Sequence, residues 1–317
     1  MTEMNAKRQS SYAAIDIGTN TILMLIGRRD SQGAQHIVQD MHSIARLGQN
    51  VDKSRTIQPE AVERAAAILQ EYRQLIEKYN VTSVKAVATS ALRDASNGAS
   101  IALQLSQVLG WPVEIISGSQ EAALCFLGST ENDAPVTILD IGGGSTEFIS
   151  GSHHQIDWRT SIDIGAVRLT ERYFHAFPVD EETLHQATLY IRQQLNQHIP
   201  HSLFPITAVA GTPTSLASVA QGLKEYTPQD IHGYKLSSII IEFMMRQFFS
   251  STMEEILLID GINPKRADIL PAGTLILSEV LKHCSQNYCT VSIKGLRYGI
   301  LKSMIDPAMP IIHPSLQ

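Results

Sequence analysis

The chain has 317 residues, 44% of them hydrophobic and 18% charged, which is enough apolar content for two cored domains and excludes a disordered polymer. A formal net charge of −6 and the lack of any run of ~18 apolar residues argue against a nucleic acid or a membrane as partner. Cys125, Cys284 and Cys289 have no metal-ligand spacing and read as plain thiols; with no signal-type segment behind the polar start MTEMNAKRQSS, the expected location is cytoplasmic.

After a frayed start, Tyr12 to Gly27 (YAAIDIGTNTILMLIG) reads as strand, tight turn, strand, with Asp16 entering the turn. His36 to Leu47 begins strand-like and ends polar. Beyond Pro59, which a first helical turn tolerates, Val62, Ala65, Ala66, Leu69, Tyr72, Ile76 and Tyr79 recur at helical spacing and predict an amphipathic helix. Val84 to Ala88 is a short buried strand that ends at Thr89-Ser90-Ala91-Leu92-Arg93-Asp94. Hydroxyls and an arginine just past a strand's carboxyl end lie where open α/β sheets bind ligands, although a capped helix start with a solvated Arg93 reads the same way. Asn97 is placed as the cap of a helix that runs to Leu109 and breaks at Gly110-Trp111-Pro112. Val113 to Ile116 is another strand, and Ser117-Gly118-Ser119-Gln120-Glu121 opens an apolar helix to about Gly128. Among Ala122, Ala123 and Leu124, Glu121 is expected to be partly desolvated, which raises its basicity and suits deprotonation of water. A first-turn acid that compensates the helix dipole is the structural alternative.

The polar linker Ser129 to Pro135 divides the chain into units 1–130 and 131–317, with the last helix expected to pack back on the first unit. Next comes Val136 to Gly151, VTILDIGGGSTEFISG. Glycines at 142, 143 and 144 remove the Cβ atoms that keep a ligand off the backbone, so successive N–H groups can converge on phosphate oxygens. Asp140 and Glu147 flank this cradle, and acids beside an anion call for a divalent cation between them. A hairpin that merely turns is the alternative reading. Laid without a gap on Tyr12 to Gly27, the stretch matches Ile15-Asp16-Ile17-Gly18 to Leu139-Asp140-Ile141-Gly142 and Gly27 to Gly151, at an offset of 124 residues. Such a repeat predicts a duplicated architecture with phosphate between the copies. Leu23 stands where the second copy has Glu147. Downstream, His153 and His154 fall in an exposed turn, Ile156 to Ile164 is a strand, and Gly165 to Phe174 and Asp180 to His198 are helices. Ile206 to Ala210 is a strand ending in a third glycine-hydroxyl turn, Gly211-Thr212-Pro213-Thr214-Ser215, before a helix from Leu216 to Leu223. Helices are predicted from Lys235 to Phe249 and from Arg266 to His283, the latter kinked at Pro271, then a strand from Cys289 to Ile293 and a helix from Gly295 to about Ile305. Pro307, Pro310 and Pro314 end regular structure.

In their order, Asp-Ile-Gly-Thr-Asn-Thr, Asp-Ile-Gly-Gly-Gly-Ser-Thr-Glu and Ala-Gly-Thr-Pro-Thr-Ser resemble the phosphate-one, phosphate-two and adenosine segments of the actin, sugar kinase and Hsp70 superfamily. Within it, ATSALRDASN at 88–97, ISGSQEAALCFLG at 116–128, GAVRLTERYF at 165–174, RADILPAGTLIL at 266–277 and VSIKGLRYGIL at 291–301 look like the exopolyphosphatase and guanosine pentaphosphate phosphohydrolase (Ppx/GppA) family, short two-domain type. The resemblance implies an α/β fold of two ribonuclease-H-like (actin-like ATPase) domains flanking a cleft. It also implies hydrolysis of a terminal phosphate from inorganic polyphosphate, or alternatively from guanosine pentaphosphate (pppGpp), with Mg²⁺ or another divalent cation. Carried over by position, Glu121 matches the family's catalytic base, and Asp16, Asp140 and Glu147 match its metal and active-site acids. Gly18, Thr19 and Asn20 match the first phosphate loop, Gly142, Gly143, Gly144 and Ser145 the second, and Arg93 a substrate-facing arginine. Gln120 replaces the first of two acids usual in the family, and Pro213 stands where a small residue is usual, so nucleotide contacts at that turn stay open. A homodimer is compatible with the resemblance. The short members lack a helical extension that helps form a polyphosphate channel, which implies reduced processivity on long chains. A non-hydrolytic nucleotide-binding switch is the alternative of another class; a sugar kinase needs an acceptor-activating acid that the sequence does not offer.

Overall fold

Ser11–Ile17 (β1) and Thr21–Arg29 (β2) are apolar at most positions, the pattern of strands covered on both faces. In the computed structural model, which describes residues 10–30 and 35–306, they join Gln35–Ile44 (β3), Ser83–Ala88 (β4) and Val113–Ile115 (β5) in a sheet of order β3-β2-β1-β4-β5. The first three strands form an antiparallel meander, and β4 and β5 add in parallel. Val136–Ile141 (β6), Thr146–Ser152 (β7), Gln155–Ile162 (β8), Ile206–Val209 (β9), Lys235–Ser237 (β10) and Tyr288–Val291 (β11) make a second sheet, β10-β11-β9-β6-β7-β8. Read outward from β6 it repeats the first: a meander, then parallel β9 and β11, with β10 added antiparallel at the edge. The protein is therefore an α/β fold of two ribonuclease-H-like domains of the actin-like type.

The repeat holds at the level of single residues. Asp16 pairs with Leu23 across β1 and β2, and Asp140 pairs with Glu147 across β6 and β7. Pairing to the third strand slips between Ile26 and Gly27 in one sheet and between Ser150 and Gly151 in the other. A Cβ on Gly27 would lie 2.7 Å from the Leu301 side chain, and one on Gly151 would lie 2.7 Å from Phe126 and 2.0 Å from the Gln155 carbonyl oxygen. The two large side chains belong to helices that cross between halves. Helix Leu296–Ile305 packs on β1 and β2, while helix Gly118–Ser129 reaches β6, β7 and β8. These helices meet backbone to backbone: a Cβ on Gly299 would sit 1.7 Å from the Leu124 carbonyl oxygen, and one on Gly128 2.1 Å from that of Gly295. Leu124, Leu296, Ile300 and Leu301 share a core with Ala14 and Leu25, and Ala122, Cys125 and Phe126 share another with Ile138 and Ile149.

Several local expectations change. Lys235–Ser237 is an edge strand rather than a first helical turn, because β11 offers it an antiparallel partner; the helix begins at Ser238 with Ser237 as cap. Pro271 sits in the first turn of helix Leu270–His283, where a missing N–H is harmless, so it starts that helix instead of kinking it. Asn97 occupies a helix N-cap position, but its amide brackets Ile57, accepting from Ile57 N–H and donating to its carbonyl, both at 2.9 Å. Gly211 to Ser215 is the first turn of helix Gly211–Ala220, entered through Ala210 at φ 73°. The frayed start and Pro307, Pro310 and Pro314 lie outside the described residues. All three cysteines are free and buried, and no described helix is long and apolar enough to cross a membrane.

Candidate active site

Both sheets direct the carboxyl ends of their first strands, β1 and β6, into one cavity of about 1070 Å³. Asp16, Glu121, Asp140 and Glu147 line it, as do Gly18, Thr19, Asn20, Gly142, Gly143 and Ser145 of the two turns. The turns have one geometry. Gly18 N–H donates to the Thr21 carbonyl at 2.9 Å and Gly142 N–H to that of Ser145 at 3.0 Å, so these two amides close the turns. The amides of Thr19, Asn20, Gly143, Gly144 and Ser145 have no backbone acceptor among the described residues, and a phosphate would have to engage these.

The triple glycine also serves a contact between halves. A Cβ on Gly143 would lie 2.9 Å from the Thr19 side chain and one on Gly144 3.1 Å from Ser90 Oγ, while Thr19 Oγ1 and Ser90 Oγ are hydrogen-bonded at 2.8 Å. Gly144 accordingly faces a small crevice with Ser90 behind the main cavity. The carbonyls of Gly142 and Gly143 accept from the amides of Ala166, Val167 and Arg168, which fixes the turn from below.

Each acid has its own support. Ser161 Oγ donates to Glu147 Oε1 at 2.7 Å, and the Cys125 thiol donates to Asp140 Oδ2 at 3.3 Å. Arg93 is not on the cavity wall; its Nη1 donates to Glu121 Oε2 at 3.0 Å and to the Ile116 carbonyl at 3.1 Å. Gln120 completes a capping box with Ser117, which accounts for an amide where an acid is usual and holds the turn that presents Glu121. Burial lifts the Asp16 carboxyl to about 7 in spite of the nearby Arg297 charge. Burial, and then the Glu147 charge, lift Asp140 to about 7. Glu121 rises well above its ordinary value for the same two reasons, with Arg93 opposing. Burial also raises Glu147, against the Ser161 and Ser145 hydroxyls. Buried acids that oppose one another's ionisation are suited to holding a proton or a cation. Asp16 Oδ1 is buried without a hydrogen-bond partner.

A sequence model of the Ppx/GppA phosphatase family matches residues 25–308. The chain belongs to this family. It is 32% identical over 312 residues to exopolyphosphatase 2 of Mycobacterium tuberculosis, with 92% of this chain and 98% of that protein covered. It is 33% identical over 297 residues to a bifunctional 3-dehydroquinate synthase/phosphatase of Fusobacterium nucleatum, where the match takes 88% of this chain and spans only 44% of the relative. The crystal structure of an exopolyphosphatase from Cytophaga hutchinsonii superposes with a TM-score of 0.85 at 29% identity, covering 96% of this chain and 100% of that one.

Three arginines at the cleft had no role in the sequence reading. Arg168, buried, binds Asp52 and, at 2.8 Å, Asp94 from the first half, and its Nε donates to the Gly144 carbonyl at 2.7 Å. Arg266 lies flat over the start of helix Gly211–Ala220, where a Cβ on Gly211 would overlap its Nη1, and burial lowers its pKa. Arg297 pairs with Asp40. Each stood inside a stretch quoted for the family resemblance, but its partners lie far along the chain, and only the fold brings them together.

Proposed function

We propose that this Ppx/GppA phosphatase hydrolyses the terminal phosphoanhydride bond of inorganic polyphosphate, as the names of its relatives suggest. The observation that carries the reading is Glu121: a desolvated carboxylate, aimed by Arg93, on the wall of the same cavity as two backbone turns able to hold phosphate oxygens. A general base near the phosphate turns can activate water or an alcohol, and the names of the relatives favour water. In this mechanism Glu121 takes the proton of the attacking water while the amides of residues 19, 20, 143 and 145 hold the phosphate oxygens and stabilise the charge developing on them. Arg93 keeps the base oriented.

The donor set fits a hard divalent cation such as Mg²⁺. Asp16, Asp140 and Glu147 offer only oxygen atoms, and one of these, Asp16 Oδ1, is an orphan. No three His, Cys, Asp or Glu side chains among the described residues converge on one metal position. At most two of these acids would therefore share one cation, and Mg²⁺ could be held that way only with waters and substrate phosphates completing its shell. When bound, it would neutralise charge on the transferring phosphate. Compensation of the Glu147 charge would remove the second cause that raises Glu121, leaving burial, the larger one, opposed by Arg93.

The test is Glu121→Gln in purified protein. Phosphate release from tripolyphosphate is expected to fall by ~10²–10⁴ with little change in KM. A folded variant that keeps the parental rate removes Glu121 from this role. Parallel kcat/KM values on tripolyphosphate, long polyphosphate and guanosine pentaphosphate establish the preferred chain.

A further inference from the structure

A polyanion entering this cavity meets six acidic side chains, Asp16, Asp40, Glu71, Glu121, Asp140 and Glu147, so the wall must also supply fixed positive charge. Most arginines near the cleft are committed elsewhere. Arg93 is held by Glu121, Arg46 by Asp268, and Arg168 and Arg172 by Asp52 behind the second turn. Lys224 and Lys265 line the cavity but are exposed, and Arg266, also on its wall and half-buried, packs over the start of helix Gly211–Ala220. Arg297 differs from all of these. It is buried, lines the cavity, and is the cation whose charge acts on Asp16.

Its guanidinium is fixed from one edge. Nε donates to Asp40 Oδ1 and Nη2 to Asp40 Oδ2, both at 3.1 Å, and Nη2 also lies 3.2 Å from His42 Nε2. Tyr298 adds a hydrogen bond to Asp40 Oδ2 at 3.3 Å. A carboxylate that takes the Nε and Nη2 edge leaves the two Nη1 hydrogens on the opposite side. Nη1 has no acceptor among the described residues. Anchoring helix Leu296–Ile305 to β3 uses the first edge alone; the third nitrogen has no structural task. Burial works against ionisation of Asp40, but His42 and Arg297 hold it down to about 2, so the clamp stays charged across the neutral range.

We propose that Arg297, clamped by Asp40, is a substrate-binding residue whose free Nη1 donates to an oxygen of the polyphosphate chain, and that Asp40 is its positioning residue. The proposal rests on the polyphosphate reading above. Because Arg297 comes from the second half of the chain but is clamped to β3 of the first, the bound phosphate would be gripped at the seam of the two domains.

The test compares Arg297→Lys and Asp40→Asn with the parent, using tripolyphosphate in both turnover and calorimetric titration. Lysine keeps the charge but cannot fill the clamp and present a third nitrogen. KM and the calorimetric Kd are expected to rise about tenfold in Arg297→Lys, with kcat within about twofold, the signature of lost ground-state binding. Asp40→Asn, which leaves Arg297 in place but loose, is expected to move the same quantities by a smaller factor. An unchanged Kd in either folded variant, or a fall in kcat at constant KM, overturns the assignment. If Arg297→Lys does not fold, Asp40→Asn decides alone. Should the parent bind tripolyphosphate without releasing phosphate, the hydrolytic reading fails, while the ratio of Kd values still decides the role of Arg297.

Discussion

The two hairpins, β1–β2 and β6–β7, are the same object built from different residues. Each closes with a glycine amide on a carbonyl three residues ahead, each is braced through its carbonyls by the segment that follows its third strand, and each slips register at a matched glycine. In the first, the Thr19 and Asn20 carbonyls accept from the amides of residues 45, 46 and 48; in the second, those of Gly142 and Gly143 accept from residues 166–168. The side chains are where they part. Opposite Asp16 stands Leu23, and opposite Asp140 stands Glu147. Backbone duplication thus supplies two turns with unpaired amides, and a single leucine-to-glutamate difference puts a second carboxylate in only one of them.

The sharpest way to break that asymmetry is Glu147→Leu, which makes the second hairpin like the first. Phosphate release should fall by at least ~10², the scale for loss of an electrostatic group acting in the transition state, as read in a steady-state assay with unchanged circular dichroism. Leu23→Glu should not restore it, since Leu23 faces His42 on β3 where Glu147 faces Ser161.

A stability difference should follow at the second turn, which has an arginine beneath it. Arg168→Met leaves Asp52 and Asp94 less compensated and the Gly144 carbonyl without its Nε donor, an expected loss of about 3 kcal/mol in urea unfolding. Asp52 retains Arg172, so a much larger loss would mean that the two halves also separate.

Asp16 and Asp140, the matched acids, share one pH signature. Their folded values of about 7 exceed the unfolded value of 3.8, so each favours folding at low pH and loses that contribution as pH rises through 7. Melting temperature of chelator-treated protein should therefore decline between about pH 4 and pH 7 relative to an Asp16→Asn/Asp140→Asn variant. Mg²⁺ that binds the ionised acids should flatten the decline. The smallest effect is expected for Gln120→Glu: glutamate also completes the capping box, so stability should stay within about 0.5 kcal/mol.

Much of this was legible in the chain. The gapless repeat of Ile15-Asp16-Ile17-Gly18 predicted a duplicated hairpin, and the two copies pair in the same register residue for residue, because a hairpin is a local object whose turn length dictates its pairing. The desolvation of Glu121 was legible for a related reason, as its apolar neighbours lie next to it in sequence. Arg168 and Arg297 were not, since the acids that fix them, Asp52, Asp94 and Asp40, come from the other half of the chain. The short strand β10 was hidden as well: three residues running into a helix carry too little period to separate from it.

The crossed helices limit how the cleft can open. With Gly128 and Gly299 leaving no side chains between the backbones, a slide of helix Gly118–Ser129 along Leu296–Ile305 would drive side chains into the facing backbone, so opening of the cleft is expected to turn about this crossing rather than shear it. Because each sheet is faced by a helix from the other half, a chain cut at the 131–135 linker would yield two pieces that each carry the other's missing cover. Neither would be a finished domain until the pair had reassembled.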